Sequence, residues 1–166
     1  MRHIILGLLV PLLMWADRSE IDFDPEVDFA EFKTFTIHRG TIHTKKPELN
    51  NDLVRKKVEE ALRARLTAKG LTETASKPDL GVVWSLGAAE RREVHRSPAG
   101  RRGWQTRVNA LRYTEGTLVI DLHQAGNREL IYRVTYVDDE SNTGKLSQKL
   151  EKDVAKALEK YPPPKK

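Results

Sequence analysis

Between Leu80 and Ala88 apolar residues hold every second position: Leu80, Val82, Trp84, Leu86 and Ala88 alternate with Gly81, Val83, Ser85 and Gly87. A period of two is that of a β-strand with one face buried. The same period returns at Leu118, Ile120 and Leu122, and again at Leu130, Tyr132, Val134 and Tyr136. A turn around Gly126-Asn127 separates those two runs, so 117–137 reads as a β-hairpin. A sheet with one apolar face has to be covered, and two segments have the pattern to cover it. From Asn51 to Lys69 apolar residues fall at Leu53/Val54, Val58, Ala61/Leu62 and Leu66, one stripe of a helix, with Asn50 or Asn51 to cap it and Gly70 to end it. A second helix, 141–158, buries Leu146, Leu150, Val154, Ala157 and Leu158 and stops before Pro162-Pro163-Pro164. The expected fold class is therefore α+β: a two-layer domain, with a twisted, mainly antiparallel sheet and both helices packed on one face.

The remaining segments fit around that frame. Residues 17–30 alternate acids with Ile21, Phe23, Val27 and Phe29, which predicts a strand at Ile21–Asp24 broken by Pro25. Asp28 is placed to cap a short turn presenting Phe29 and Phe32 to the core. Lys33–His38 reads as a strand and 39–50 as a polar loop. Arg91–Arg96 can prolong the 80–88 strand outward, Ser97–Gly103 reads as a tip loop, and Trp104–Tyr113 returns with weaker alternation.

The N-terminus has a different character. Met1-Arg2-His3 precedes an eleven-residue apolar run, Ile4–Met14, then Trp15-Ala16 and the polar Asp17-Arg18-Ser19-Glu20. This is the plan of a secretory signal peptide. The run is too short to cross a hydrocarbon core of roughly 30 Å and holds Pro11. The expected organisation is a signal at 1–16, one α+β domain at 17–162 and a disordered tail at 163–166, with no transmembrane span once the signal is removed. The expected location is periplasmic or secreted. No cysteine is present, which excludes thiol catalysis, thiolate metal sites and lipid attachment through an N-terminal cysteine.

Several markers follow one another in a recognisable order: Asp22-Phe23-Asp24-Pro25-Glu26-Val27-Asp28-Phe29, Phe32-Lys33-Thr34-Phe35, Leu66-Thr67-Ala68-Lys69-Gly70-Leu71, Lys77-Pro78-Asp79-Leu80, the stretch Tyr113–Asp121, and Leu158 with Tyr161-Pro162. Across about 21–162 the chain resembles the bacterial envelope proteins grouped as domain of unknown function 4136. The resemblance implies a periplasm-facing α+β domain, usually a lipoprotein, with no established activity and no catalytic residues to carry over. The chain departs from that pattern in lacking the lipobox cysteine and in having Tyr132 where the family tends to carry Trp.

Known catalytic and metal-binding patterns fit poorly. An EF-hand starting at Asp22 would need Gly and Glu where Val27 and Lys33 stand. His38, His43, His95 and His123 form no H-E-x-x-H and no helical pair. Gly144-Lys145 fails as a phosphate loop, with Asp139 and Leu146 in place of Gly and Ser/Thr. Asp121 and His123 share one strand face, a geometry open to acid–base work but without a third partner. Neither a metal nor a cofactor is expected, and the expectation is a non-enzyme.

Charge is the one uneven property. From Glu90 to Arg112 the segment carries seven arginines, Arg91, Arg92, Arg96, Arg101, Arg102, Arg107 and Arg112, against two glutamates, and its net +5 equals that of the whole chain. Arginine's planar fork suits phosphate and carboxylate. Arg91, Arg92, Arg96, Arg101, Arg102, Arg107 and the nearby Trp104 are the candidate contact residues. The partner they imply is an envelope protein, an anionic lipid or a polyanion, bound by a secreted, non-enzymatic module. The alternative is a cytoplasmic nucleic-acid-binding protein using the same arginines, with Trp104 stacking on bases. It carries no known nucleic-acid motif.

Overall fold

The computed structural model describes residues 18–99, 105–140 and 143–164. Among them lie seven strands and two helices: β1 (Arg18–Phe23), β2 (Thr34–Ile37), β3 (Thr41–His43), α1 (Asp52–Ala68), β4 (Thr72–Glu73), β5 (Leu80–Ala99), β6 (Gln105–Gln124), β7 (Leu130–Glu140) and α2 (Thr143–Ala157). The sheet is open, in the order β1-β7-β6-β5-β2-β4, with β3 also on β5. It is mixed. The neighbours β1, β7, β6 and β5 are antiparallel, whereas β2 and β3 run parallel to β5 and β4 runs parallel to β2. The fold is α+β, as the alternation and the two helical stripes require.

The alternating apolar residues form the buried face: Leu80, Val82, Trp84 and Leu86 on β5, Leu118, Ile120 and Leu122 on β6, Tyr132, Val134 and Tyr136 on β7. Both helices cover it. Helix α1 is capped as its sequence demands, with Asn51 Oδ1 accepting the Val54 N–H at 3.0 Å. It ends at Gly70, whose φ of +91° lets the Leu71 N–H return to the Leu66 carbonyl at 3.1 Å. Its buried stripe is Val54, Val58, Ala61, Leu62 and Leu66, while Leu53 is 80% exposed. The two helices run in the same direction. Lys57, Arg65 and Lys69 donate to the carbonyls of Ser147, Ala155 and Glu159, a constant offset of 90 residues.

Three local devices set the register. Asp79 Oδ2 accepts the backbone N–H of Lys33 at 2.9 Å and, from Thr34, both N–H and hydroxyl at 2.8 Å. These bonds clamp β2 beside β5 and hold the Asp79 carboxyl below its ordinary range. Gly40, between β2 and β3, crosses directly over Trp84: a Cβ there would lie 1.9 Å from Trp84 Cε2. Third, the β6–β7 register slips after Leu122, which pairs with Tyr132 while His123 pairs with Leu130. The slip buries Ile131 beside Tyr132 and leaves Leu130 41% exposed, so the simple alternation that puts Leu130 inward is corrected by a bulge. The markers around 22–35 and 158–162 converge in an aromatic cluster. Phe29 packs edge-on against Phe23, Phe32, Tyr132 and Tyr161 at 6.0–6.3 Å.

Candidate functional site: a two-stranded basic arm

Strands β5 and β6 stay paired for twenty positions, from Leu80↔Gln124 to Ala99↔Gln105. Their neighbours stop earlier. On one side β7 ends at Glu140 opposite Thr114, and on the other β3 ends at His43 opposite Gly87. From Arg91↔Tyr113 to Ala99↔Gln105, nine pairs continue with no described strand on either side. At about 3.3 Å per residue this arm reaches roughly 30 Å from the sheet. The strands therefore run further than the sequence implies: Ser97, Pro98 and Ala99, expected in the tip loop, belong to β5. Pro98 is tolerable there because an unflanked strand leaves its edge unpaired.

The arm contains most of the arginines singled out from the sequence. Arg92 stands opposite Arg112, Arg96 opposite Val108 and Arg107 opposite Ser97. Arg101, Arg102 and Trp104 lie outside the described residues. Arg91, at the root, is exposed and donates twice to Glu115 Oε1, at 3.1 and 2.7 Å. Lys46 pairs with Glu90 at the same root. The root thus carries local ion pairs, and one step further out the register sets Arg92 opposite Arg112.

The outer face of the sheet separates the two residues considered for acid–base work. Arg133 grips Asp121 with two 2.7 Å bonds, and this partnership raises the arginine's already high pKa. His123 Nδ1 lies 3.2 Å from the Arg128 carbonyl, which can only accept, so Nδ1 carries the proton. With His38, Thr36, Val83 and Arg128, His123 lines an open groove of about 500 Å³ over Gly81. The acidic run holds its own backbone: Asp24 and Asp28 accept the N–H groups of Glu26 and Ala30 at 2.9 and 3.0 Å. Among the described residues no group of three metal-ligating side chains converges, and no helix is long and apolar enough to cross a membrane.

One polar cluster went unnoticed in the sequence. Asp138 and Asp153 are buried between β7 and α2, at 5% and 4% exposure. Lys149 reaches Asp138 Oδ2 at 2.6 Å, but Asp153 Oδ1 has no hydrogen-bond partner. Both acids line a cavity of about 10 Å³ with Leu86, Leu118, Leu146 and Leu150, room for about one water. Burial, then the Asp138 charge, pushes the Asp153 carboxyl up to about 7. The signal was present, since Asp153 falls on the apolar stripe Leu146, Leu150, Val154, Ala157 and Asp138 extends the inward set Tyr132, Val134, Tyr136.

Fold and site together define a helix-backed, mixed-sheet α+β domain whose two central strands project as a basic arm. The sequence matches the family described as Domain of unknown function (DUF4136) over residues 19–163, and the chain belongs to that family. Similar folds occur among solved structures of other proteins. A PDZ domain protein from Parabacteroides distasonis has TM-score 0.63 and 16% identity over 90% of this chain; the chain spans 36% of that protein. PelC from Paraburkholderia phytofirmans, solved as a dodecamer, has TM-score 0.52 and 13% identity, covering 86% of this chain and 95% of its own. A DUF4136 family protein from Bacteroides thetaiotaomicron has TM-score 0.50 and 15% identity, covering 88% and 96%. No curated protein matches the sequence.

Proposed function

We propose that this chain is an exported, non-enzymatic module of the bacterial envelope that holds an anionic partner through the β5–β6 arm. The observation carrying the proposal is the arm itself. Nine strand pairs stand with no described strand flanking them, in a segment of net charge +5. A two-stranded ribbon is marginally stable alone in water, so a ribbon this long gains from being covered. Its arginines favour a cover rich in phosphate or carboxylate. Export is supported by the signal-like residues 1–16 and by the envelope setting that the family resemblance implies.

Two measurements test the reading. Fractionation with intact-mass analysis of the natively expressed protein is expected to find a periplasmic species beginning at Asp17. A full-length cytoplasmic species would overturn the export claim and favour the nucleic-acid alternative. Replacing Arg92, Arg96, Arg101 and Arg102 by Gln is expected to abolish retention on phosphatidylglycerol vesicles, with Arg91 kept because it serves Glu115. Retention that ignores both the substitutions and added salt would refute the arm's role.

A further inference from the structure

We propose that the partner of the arm is a second copy of this chain, whose acidic β1 edge seats the arm head to tail. This rests on the reading of the arm as an anion-seeking element and names what it seeks. Residues 18–31 carry six acids against Arg18, a net charge of −5 that mirrors the +5 of residues 90–112. Glu20, Asp22 and Glu26 are exposed. Among the described residues strand β1 ends the sheet on one side, paired with β7 alone, so its outer edge offers N–H and C=O groups that no described strand takes, as both edges of the arm do. Edge pairing between copies would satisfy backbone and charge together.

The two charged surfaces cannot meet within one copy. Glu20 pairs with Thr135, which pairs with Val119, and Asp22 is level with Asp121 by the same route. The arm begins at Tyr113 and runs the other way, to Gln105. Even its root lies about 20 Å of strand from the Glu20 row, roughly twice the Debye length at 0.1 M salt. A contact between different surfaces of identical chains is heterologous, so it builds a ring where the rotation closes and a filament where it does not.

Charge reversal on each surface tests this with the full chain, read by size-exclusion chromatography with light scattering and checked for folding by circular dichroism. One variant carries Arg92→Glu, Arg96→Glu and Arg107→Glu, the other Glu20→Lys, Asp22→Lys and Glu26→Lys. Wild type is expected to self-associate at low salt and to dissociate near 1 M, where screening acts within about 3 Å. Each variant alone should associate at least about tenfold more weakly. Mixing the two should restore assembly, because the arm of each then fits the edge of the other. A monomeric wild type, or a mixture that stays monomeric while both variants are folded, overturns the inference. A monomeric wild type that still binds phosphatidylglycerol vesicles through its arginines overturns only this inference and leaves the arm's role standing. One that binds neither overturns both.

Discussion

Replacing Asp153 by Asn should remove most of the pH dependence that this carboxyl imposes on folding stability. Asp153 is 4% exposed, its Oδ1 lacks a partner, and its pKa is pushed from an ordinary 3.8 up to about 7. The groups facing it are Asp138 and Tyr136 from β7 and Lys149 and Lys152 from α2, while Leu86, Gly87, Gly116 and Leu118 of β5 and β6 and Leu49 make an apolar wall. Burial and Asp138 raise the carboxyl; the two lysines and the Tyr136 hydroxyl pull the other way. Because the folded value is the higher one, the favourable contribution is complete below about pH 4 and is lost as pH rises through about 7. About three units at roughly 1.4 kcal/mol each set a ceiling near 4 kcal/mol. The amide keeps the shape and cannot ionise. Urea unfolding followed by tryptophan fluorescence should therefore give an Asp153→Asn variant close to wild type below about pH 4, with an advantage that grows through pH 5–7 to as much as about 4 kcal/mol at pH 8. Parallel pH–stability curves for the two proteins would refute the reasoning.

Other substitutions test the devices that set the register. Gly40→Ala should cost about 3 kcal/mol or more, because a Cβ 1.9 Å from the buried Trp84 ring forces backbone or indole to move; thermal denaturation reads it. Asp79→Ala leaves the Lys33 and Thr34 N–H groups without their acceptor and should cost about 2 kcal/mol at pH 7 by urea titration. Since the folded Asp79 carboxyl is held below 3.8, its contribution is present above that value and is lost as pH falls through the depressed one, so the deficit should shrink in acid. Gly70→Ala should cost about 1 kcal/mol, since φ is +91° and nothing crowds the site.

Where burial enforces a period, the chain is readable from its residues. The strands through Leu80–Leu86 and Leu118–Leu122 and the stripes of α1 and α2 were legible because one face of each is packed. Strands β3 and β4 were not, since three and two residues carry no period and their pairing is decided by β5 and β2. The Ile131 bulge was hidden for a related reason: a register slip depends on the partner strand. The arm's basic composition was plain, yet its length was understated, because alternation weakens between Trp104 and Tyr113. Asp153 belongs to no motif, and only its spacing from Leu146 and Leu150 places it among buried residues. The markers shared with the family proved structural: Asp79 clamps Thr34, Gly70 ends α1, and Phe29 joins Tyr161.

The role of the arm is tested most directly by hydrogen–deuterium exchange on the full chain, alone and with phosphatidylglycerol vesicles at low salt. The expected result is fast exchange across 91–99 and 105–113 in dilute protein, slowing sharply when the anionic surface is present, with the amides of β5 and β6 inside the sheet unchanged. Protection that appears on α1, α2 or β7 while the arm's amides keep exchanging as before would contradict the account.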